Sequence, residues 1–206
     1  MNWFLGILGG YLIGSIPTAY LMVRLRTGID IRKTGSGNVG AFNSFDVTKS
    51  KSTGLVVGLI DALKGFFPTY LVGFVFGWHM WLQVAVFFAV LIGHNYPVWL
   101  KFHGGRGLAS AAGGSFTIGI SYAITWCIVW FISYKFIKDI NKANVAAIIV
   151  SPLLLLIFPS AWIEILNIRP ISVTDYQVCS FMLSVLLLLS HWDVLKGASK
   201  RQSSES

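Results

Sequence analysis

Long apolar stretches separated by short polar loops dominate the hydrophobic pattern of this chain. A membrane-spanning helix needs about 20 predominantly apolar residues, and most of the stretches approach or exceed that length. The six stretches cover residues 4–25, 54–78, 81–100, 108–134, 145–165 and 178–192. The pattern therefore predicts an all-α integral membrane protein.

The stretch over residues 108–134 is long enough for one tilted helix, or for a half-helix followed by a full helix. Gly119 and Ser121 lie near its middle. In the second case the chain would cross the membrane once more before residue 135. The three lysines of residues 135–142 would then lie on the same side as the other basic loops, as the positive-inside rule requires. We therefore predict a compact seven-helix bundle with short or broken helices and cytoplasmic glycine-rich loops.

Basic residues also predict the orientation in the membrane. The loop after the first stretch contains Arg24, Arg26, Arg32, Lys33, Lys49 and Lys51. Loops rich in Lys and Arg stay in the cytoplasm, so the N-terminus should face outward and the C-terminus inward, with Arg169 as the remaining basic loop residue outside. Residues 1–195 are predicted to form a single membrane domain, and residues 196–206 a disordered basic tail.

The composition agrees with lipid as the outer solvent. Apolar residues make up 55% of the 206 residues and charged residues 12%, whereas soluble domains contain about 25% charged residues. The net charge of +8 fits the inside bias and attraction to anionic lipid head groups. Because the basic residues are spread over short loops, nucleic acid is a poor candidate partner.

A glycine-spaced polar segment, residues 35–43, directly follows the first stretch. Its glycines permit left-handed backbone angles and close approach of a ligand, and its Ser and Asn side chains can donate hydrogen bonds to phosphate. The alternative is a flexible loop between helices. The residues predicted to bind phosphate are Ser36, Gly37, Asn38, Gly40 and Asn43.

A second glycine segment leads directly into the fourth stretch. Gly104, Gly105 and Gly107 flank Arg106, and Ser110 follows one turn later. The N-terminus of a helix offers free N–H groups and a positive dipole end, and Arg can bind phosphate through two parallel hydrogen bonds. We predict phosphate binding here, the alternative being an ordinary basic turn.

His94 lies near the end of the third stretch, and Pro97 should stop the helix there. A histidine at this position can act as a base or bind phosphate, or it can bond to a neighbouring backbone group. The chain contains no close cluster of His, Cys and Glu, so we predict no metal site.

Two opposite charges, Asp61 and Lys64, interrupt the second apolar stretch, with Gly65 next in sequence. Their spacing places them on one helix face. An unpaired charge at membrane depth costs about 2.5 to 3.5 kcal/mol on insertion scales, and pairing lowers this cost. The pair either supports the packing or contacts substrate.

Asn141 and Asn144 precede the fifth apolar stretch. Asparagine is a favourable N-cap residue, so Asn144 is predicted to cap the helix that follows.

Together the motifs resemble the bacterial acyl-phosphate:glycerol-3-phosphate acyltransferases of the PlsY type. The matching segments are residues 35–41 with Asn43, residues 61–65, residues 93–97 and residues 104–107. The resemblance implies a seven-helix inner-membrane enzyme of phospholipid biosynthesis with a cytoplasmic-facing site. It also implies transfer of an acyl group from acyl phosphate to glycerol 3-phosphate, without a cofactor or metal. His94 and Arg106 would then be the catalytic residues.

Several positions depart from the family pattern. Asp46 and Ser190 stand where the family has Arg, Phe42 where it has Thr, and His103 where it has Lys; Asn141 and Asn144 stand where it has serines. If Asn141 and Asn144 replace those serines, they are further candidates for phosphate binding. The alternatives are a divergent or inactive paralog, or a transporter for a phosphorylated solute.

Overall fold

The computed structural model describes residues 2–158, 160–167 and 172–197, and within these ranges every regular element is helical. The helices are α1 (Asn2–Gly14), α2 (Thr18–Thr27), α3 (Ala41–Thr48), α4 (Lys51–Phe76), α5 (Met80–Asn95), α6 (Leu108–Ile118), α7 (Ser121–Ile137), α8 (Ile140–Ile157), α9 (Ser160–Leu166), α10 (Val173–Ser190) and α11 (Trp192–Leu195). Two short 3-10 turns, Ile31–Lys33 and Val98–Leu100, complete the described elements.

Five segments among the described residues are long and apolar enough to cross a membrane. They are Trp3–Thr27, Lys51–Phe76, Met80–Leu100, Ile140–Ile157 and Val173–Ser190. Helices α6 and α7 are apolar but shorter. The split of the 108–134 stretch is confirmed, because α6 ends at Ile118 and α7 begins at Ser121. The number of seven spans stays a prediction.

The chain forms two compact units, which are described separately. The first contains the described residues up to Gly114, and the second runs from Ser115 to Gly197. In the first unit, α1 packs against α5, and α4 packs against both. Gly10 and Gly14 of α1 lie directly on the backbone of Val86 and Val90 of α5. Small residues spaced by four allow helix backbones to approach this closely.

The first apolar stretch lies within one candidate span, Trp3–Thr27, but two helices share it. Helix α1 ends at Gly14 and α2 begins at Thr18. Pro17 lies in the gap, where its missing N–H and its ring disfavour a continuous helix. The carbonyl oxygen of Ile16 accepts hydrogen bonds from the Thr18 N–H at 2.9 Å and from Lys64 Nζ at 2.7 Å.

A small apolar core ties both glycine segments to the helices of the first unit. It consists of Ala19, Val23, Ile31, Val39, Val57 and Leu100. Ile31 and Val39 lie on either side of the first glycine turn, and Leu100 precedes the second glycine segment. The same core therefore anchors the two segments.

Buried hydrogen bonds surround the break between α6 and α7. The Tyr176 hydroxyl donates to the Gly119 carbonyl at 2.8 Å and accepts from the Tyr122 N–H at 2.8 Å. The Ser121 hydroxyl donates to Asn167 Oδ1 at 2.7 Å. These side chains satisfy backbone groups that the interrupted helix leaves free.

The prediction that Asn144 caps a helix is wrong. Asp139 is the N-cap of α8, and its side chain accepts from the Lys142 N–H at 3.0 Å. Asn144 lies inside the helix and is buried. Arg169 and residues 198–206, to which the topology and tail predictions refer, lie outside the described residues.

Candidate active site

The first glycine segment forms a tight turn between the Ile31–Lys33 turn and α3. Gly35 and Gly37 adopt left-handed backbone angles, with φ of +64° and +74°. The Gly37 N–H donates to the Thr34 carbonyl at 3.1 Å. Gly40 ends the turn as the N-cap of α3, and its carbonyl accepts from the Ser44 hydroxyl at 2.9 Å. The predicted glycine-dependent turn is therefore present.

Asn43 organises this turn from inside. Its Oδ1 accepts from the Ser36 N–H at 3.0 Å, while its Nδ2 lies 2.9 Å from the Asn38 carbonyl and 3.1 Å from the Thr34 carbonyl. The residue is only 1% exposed. Its amide is used by the loop backbone, so the expected direct bond from Asn43 to phosphate is replaced by a positioning role. The side chains of Ser36 and Asn38 remain at the loop surface.

A charged pair outside the membrane-spanning helices supports the same turn. The Asp30 carboxylate accepts from Arg32 Nε at 3.0 Å and from the second guanidinium nitrogen at 2.7 Å. These hydrogen bonds lower the pKa of Asp30 from 3.8 to about 2 and raise the pKa of Arg32. The Arg32 carbonyl lies beneath Gly37, where a Cβ atom would be 3.1 Å away. The pair thus holds the base of the turn.

The carboxyl end of α5 holds the second glycine segment. The Gly105 N–H donates to the His94 carbonyl and the Gly104 N–H to the Asn95 carbonyl, both at 3.1 Å. Both N–H groups are bonded in this structure, and phosphate binding by Gly104 and Gly105 stays a prediction. The first turn of α6 follows this segment, and the first turn of a helix has N–H groups without intrahelical partners. Pro97 follows the end of α5, as predicted.

The two glycine segments meet, although they are far apart in sequence. The Val39 N–H lies 3.5 Å from the Gly104 carbonyl oxygen. A Cβ atom on Gly105 would lie 2.6 Å from the Val39 carbonyl and would overlap the His94 ring. The contact requires glycine at position 105, and it joins the two predicted phosphate-binding loops into one surface.

A buried polar cluster lies next to this contact. Lys64 Nζ is 2.8 Å from Asp61 Oδ1, which confirms the predicted ion pair. His94 Nδ1 lies 3.8 Å from the same Asp61 oxygen and 3.4 Å from the Ser110 hydroxyl. The Asp61 carboxylate and the Ile16 carbonyl both bind the buried Lys64 ammonium. These contacts offset the cost of burying its charge at membrane depth. Gly65 lies against the Ser110 carbonyl, so α4 and α6 approach closely.

The structure clarifies some of the departures in sequence. The Asp46 carboxylate pairs with Lys49 Nζ at 2.8 Å, so its negative charge is locally balanced. His103 is exposed, and its ring bonds to the Lys101 carbonyl at 2.7 Å. Ser190 donates to the Leu187 carbonyl in the second unit.

In the first unit, Val39 of the first glycine segment contacts Gly104 and Gly105, and His94 lies beside Gly105 and Ser110. Asn141 and Asn144 belong to the second unit, and their role in binding phosphate stays a prediction. The hydrogen bond between Lys64 and the Ile16 carbonyl was not predicted. Pro17 indicates the helix break, and this break leaves the Ile16 carbonyl available to Lys64. The burial of Asn95 at the end of α5 was also not predicted. The change from apolar to polar residues at this point of the sequence does not indicate which of the polar side chains is buried.

Comparisons with known proteins agree over most of the chain. Residues 4–200 match the family model described as glycerol-3-phosphate acyltransferase. A glycerol-3-phosphate acyltransferase of Thermotoga petrophila is 39% identical over 158 residues, covering 75% of this chain and 78% of the relative. A glycerol-3-phosphate acyltransferase 2 of Moorella thermoacetica is 39% identical over 161 residues, covering 78% and 81%.

The fold is also similar to a solved structure. The crystal structure of PlsY (YgiH), an integral membrane glycerol 3-phosphate acyltransferase in its glycerol 3-phosphate form, aligns with a TM-score of 0.77 and 27% sequence identity. The alignment covers 99% of this chain and 97% of that one.

Proposed function

The chain belongs to the glycerol-3-phosphate acyltransferase family, and we propose that it transfers an acyl group from acyl phosphate to glycerol 3-phosphate. An acceptor hydroxyl oxygen attacks the acyl carbonyl carbon, and the bond from that carbon to the phosphate oxygen breaks. The products are lysophosphatidic acid and inorganic phosphate, and the hydroxyl proton leaves with the phosphate. The acyl phosphate is already activated, so the reaction needs no covalent intermediate on the enzyme.

The observation that carries this proposal is the contact between the two glycine segments beside His94. Val39 and Gly105 join the segments, and the His94 ring lies against Gly105. A reaction between two phosphorylated substrates needs both held at one place, and such positioning supplies a large part of the rate enhancement. One surface that carries two glycine turns fits this requirement.

We assign phosphate binding to the side chains of Ser36, Asn38 and Arg106. The Ser36 hydroxyl and the Asn38 amide lie on the first turn, and Arg106 precedes the N-terminus of α6. A guanidinium can stabilise the charge on the departing phosphate, and a helix N-terminus adds oriented N–H groups. The balanced Asp46–Lys49 pair does not add a net negative charge to this region.

We assign the proton to the departing phosphate and a supporting role to His94. Its Nδ1 faces Asp61 and Ser110 at 3.8 and 3.4 Å, while Gly105 lies against the opposite edge of the ring at Nε2. This arrangement holds the ring in one orientation next to the loops. His94 as the general base is the alternative route for the same proton.

An apolar groove in the first unit is suited to the acyl chain of the donor. It has a volume of about 580 Å³ and includes Ile13, Phe67 and Leu71 in its lining, within the range of about 300–1,000 Å³ common for small-molecule sites. Lys64 lines the groove and also belongs to the buried cluster with Asp61. A chain lying in this groove would therefore direct its activated end toward His94.

We further propose that the site faces the cytoplasm of a bacterial cell. The Lys- and Arg-rich segment of residues 24–51 contains the first glycine turn, and such loops remain on the inner side. The contact with the second segment then places both on that side. Glycerol 3-phosphate, a charged solute that does not cross the bilayer, would reach this face.

The test is transfer from palmitoyl phosphate to labelled glycerol 3-phosphate by the purified protein. We expect lysophosphatidic acid from the wild type and a loss of at least about 100-fold for Arg106→Ala, because the variant lacks a charge-assisted bidentate contact. Lys101→Asn is the matched control, since it removes an exposed cation from the same segment, and it should retain activity.

Sealed vesicles test the orientation in the same assay. Inside-out vesicles should turn over external glycerol 3-phosphate, and right-side-out vesicles should not. Full activity of Arg106→Ala would reject its role. Absence of product from the wild type would favour an inactive paralog, and uptake of unchanged glycerol 3-phosphate into the vesicles would favour a transporter.

A further inference from the structure

The side chain of Asn95 is buried and has no hydrogen-bond partner among the residues that the structure describes. It is the last residue of α5 and is 4% exposed. Both Oδ1 and Nδ2 are shielded from solvent, and neither is bonded. Buried amides in folded proteins almost always have partners, so one that lacks them requires an explanation.

The unbonded amide points to the start of α6. A Cβ atom on Gly107 would lie 2.7 Å from Asn95 Oδ1 and 3.6 Å from Nδ2. Gly107 directly precedes α6, and its carbonyl accepts from the Ala111 N–H at 2.7 Å. The first turn of a helix has N–H groups without intrahelical partners and a positive dipole end, which favour an anion.

Asn95 is connected to this site through its backbone as well. Its carbonyl accepts from the Gly104 N–H at 3.1 Å, and the neighbouring His94 carbonyl accepts from Gly105. These bonds use up two of the N–H groups that a glycine loop would otherwise offer to phosphate. An oxyanion at this place therefore needs donors from elsewhere.

We propose that Asn95 is a ligand-binding residue whose Nδ2 donates to a phosphate oxygen held at the N-terminus of α6. The proposal rests on the proposed function, which supplies a phosphorylated ligand. Gly107, with φ of +82°, places no side chain between the Asn95 amide and the start of α6. Asn95 then contributes a neutral donor to the same segment as Arg106.

The test compares two buried amides of the same helix. Gln83 in α5 is also 4% exposed, but its Nε2 donates to the Thr69 carbonyl at 3.2 Å. Asn95→Leu and Gln83→Met each replace an amide by an apolar group of similar size. Thermal unfolding, the affinity for inorganic phosphate and the KM values for both substrates are measured for each variant.

We expect opposite effects from the two substitutions. Asn95→Leu should weaken phosphate binding about 10- to 100-fold, the loss expected for a hydrogen bond to a charged group, and leave the melting temperature unchanged. Gln83→Met should lower the melting temperature and leave KM and phosphate affinity unchanged. Asn95→Asp keeps the size of the side chain and adds a negative charge, so it should weaken phosphate binding further than Asn95→Leu.

The KM values identify the source of the phosphate. A rise for glycerol 3-phosphate assigns Asn95 to the acceptor, and a rise for palmitoyl phosphate assigns it to the donor. Unchanged phosphate affinity and unchanged KM values in both Asn95 variants would overturn the proposal, with or without a lower melting temperature. If the wild type lacks transferase activity, the proposed function fails, while phosphate affinity still decides the role of Asn95.

Discussion

Main-chain groups of the first glycine turn depend on the amide of Asn43. The Ser36 N–H donates to its Oδ1, and the carbonyls of Asn38 and Thr34 accept from its Nδ2. Because the side chain is buried, removing the amide leaves these backbone groups without their side-chain partner. Asn43 therefore determines the shape of the turn, and we propose that the exposed Ser36 hydroxyl binds the ligand.

This division of roles predicts different results for two alanine substitutions. Asn43→Ala should lower the free energy of unfolding by about 1–3 kcal/mol, because buried backbone groups lose their partners. Ser36→Ala should leave the free energy of unfolding unchanged and raise KM for a phosphorylated substrate about tenfold or more. Thermal unfolding and steady-state kinetics in one detergent measure both effects.

An unchanged melting temperature for Asn43→Ala would contradict the positioning role and restore direct phosphate binding as its function. Equal loss of stability in both variants would contradict the ligand-binding role of Ser36.

At the scale of elements, the packing of α1 against α5 sets the position of Ile16. Gly14 lies on the backbone of Val90, and Gly93 of α5 in turn lies on the backbone of Tyr11. Two residues after Gly14, the Ile16 carbonyl binds Lys64 at 2.7 Å. The separation of α1 and α5 is therefore coupled to the Asp61–Lys64 pair beside His94.

Two glycines of α1 provide a matched comparison. Gly14→Ala would place a methyl group onto the Val90 backbone, whereas an alanine at Gly9 meets no atom within 4 Å. We expect Gly14→Ala to destabilise the protein by about 1–3 kcal/mol, the usual cost of overpacking, and to reduce activity. Gly9→Ala should retain both stability and activity. Thermal unfolding followed by the transferase assay measures the difference, and equal behaviour of the two variants would contradict close α1–α5 packing.

Local patterns predicted those helix boundaries where the residue type itself disfavours a continuous helix. Gly119 and Ser121 indicated the break between α6 and α7, and the structure has it there. Pro17 disfavours a continuous helix equally, but the apolar run around it favoured one span. The N-cap of α8 was misplaced because Asp139 precedes the apolar run by several residues, while Asn144 lies beside it.

Hydrogen-bond partners that come from distant segments were beyond the reach of the sequence. The Gly104 and Gly105 N–H groups resemble free phosphate donors until α5 is placed beside them, where the Asn95 and His94 carbonyls accept both. The Asp61–Lys64 pair was predictable, because its partners are three residues apart on one helix. Its third partner, the Ile16 carbonyl, was not.

At the scale of the whole molecule, the proposed ligand site consists of two loops. The first loop follows α2 and the second follows α5, and the core that includes Val39 and Leu100 anchors both. The contact between Val39 and Gly104 joins them at the ends of membrane-spanning segments. This arrangement places polar ligand groups at the edge of the membrane-spanning segments and leaves the apolar groove beside Lys64 for an acyl chain.

The most direct test of this claim is a double-mutant cycle across the two loops. The value of kcat/KM for glycerol 3-phosphate is measured for the wild type, Ser36→Ala, Arg106→Lys and the double variant. If both loops act on one bound reaction complex, the free-energy losses should be non-additive by at least about 0.5 kcal/mol. Losses that add to within about 0.3 kcal/mol would show that the loops act independently and would contradict a shared site.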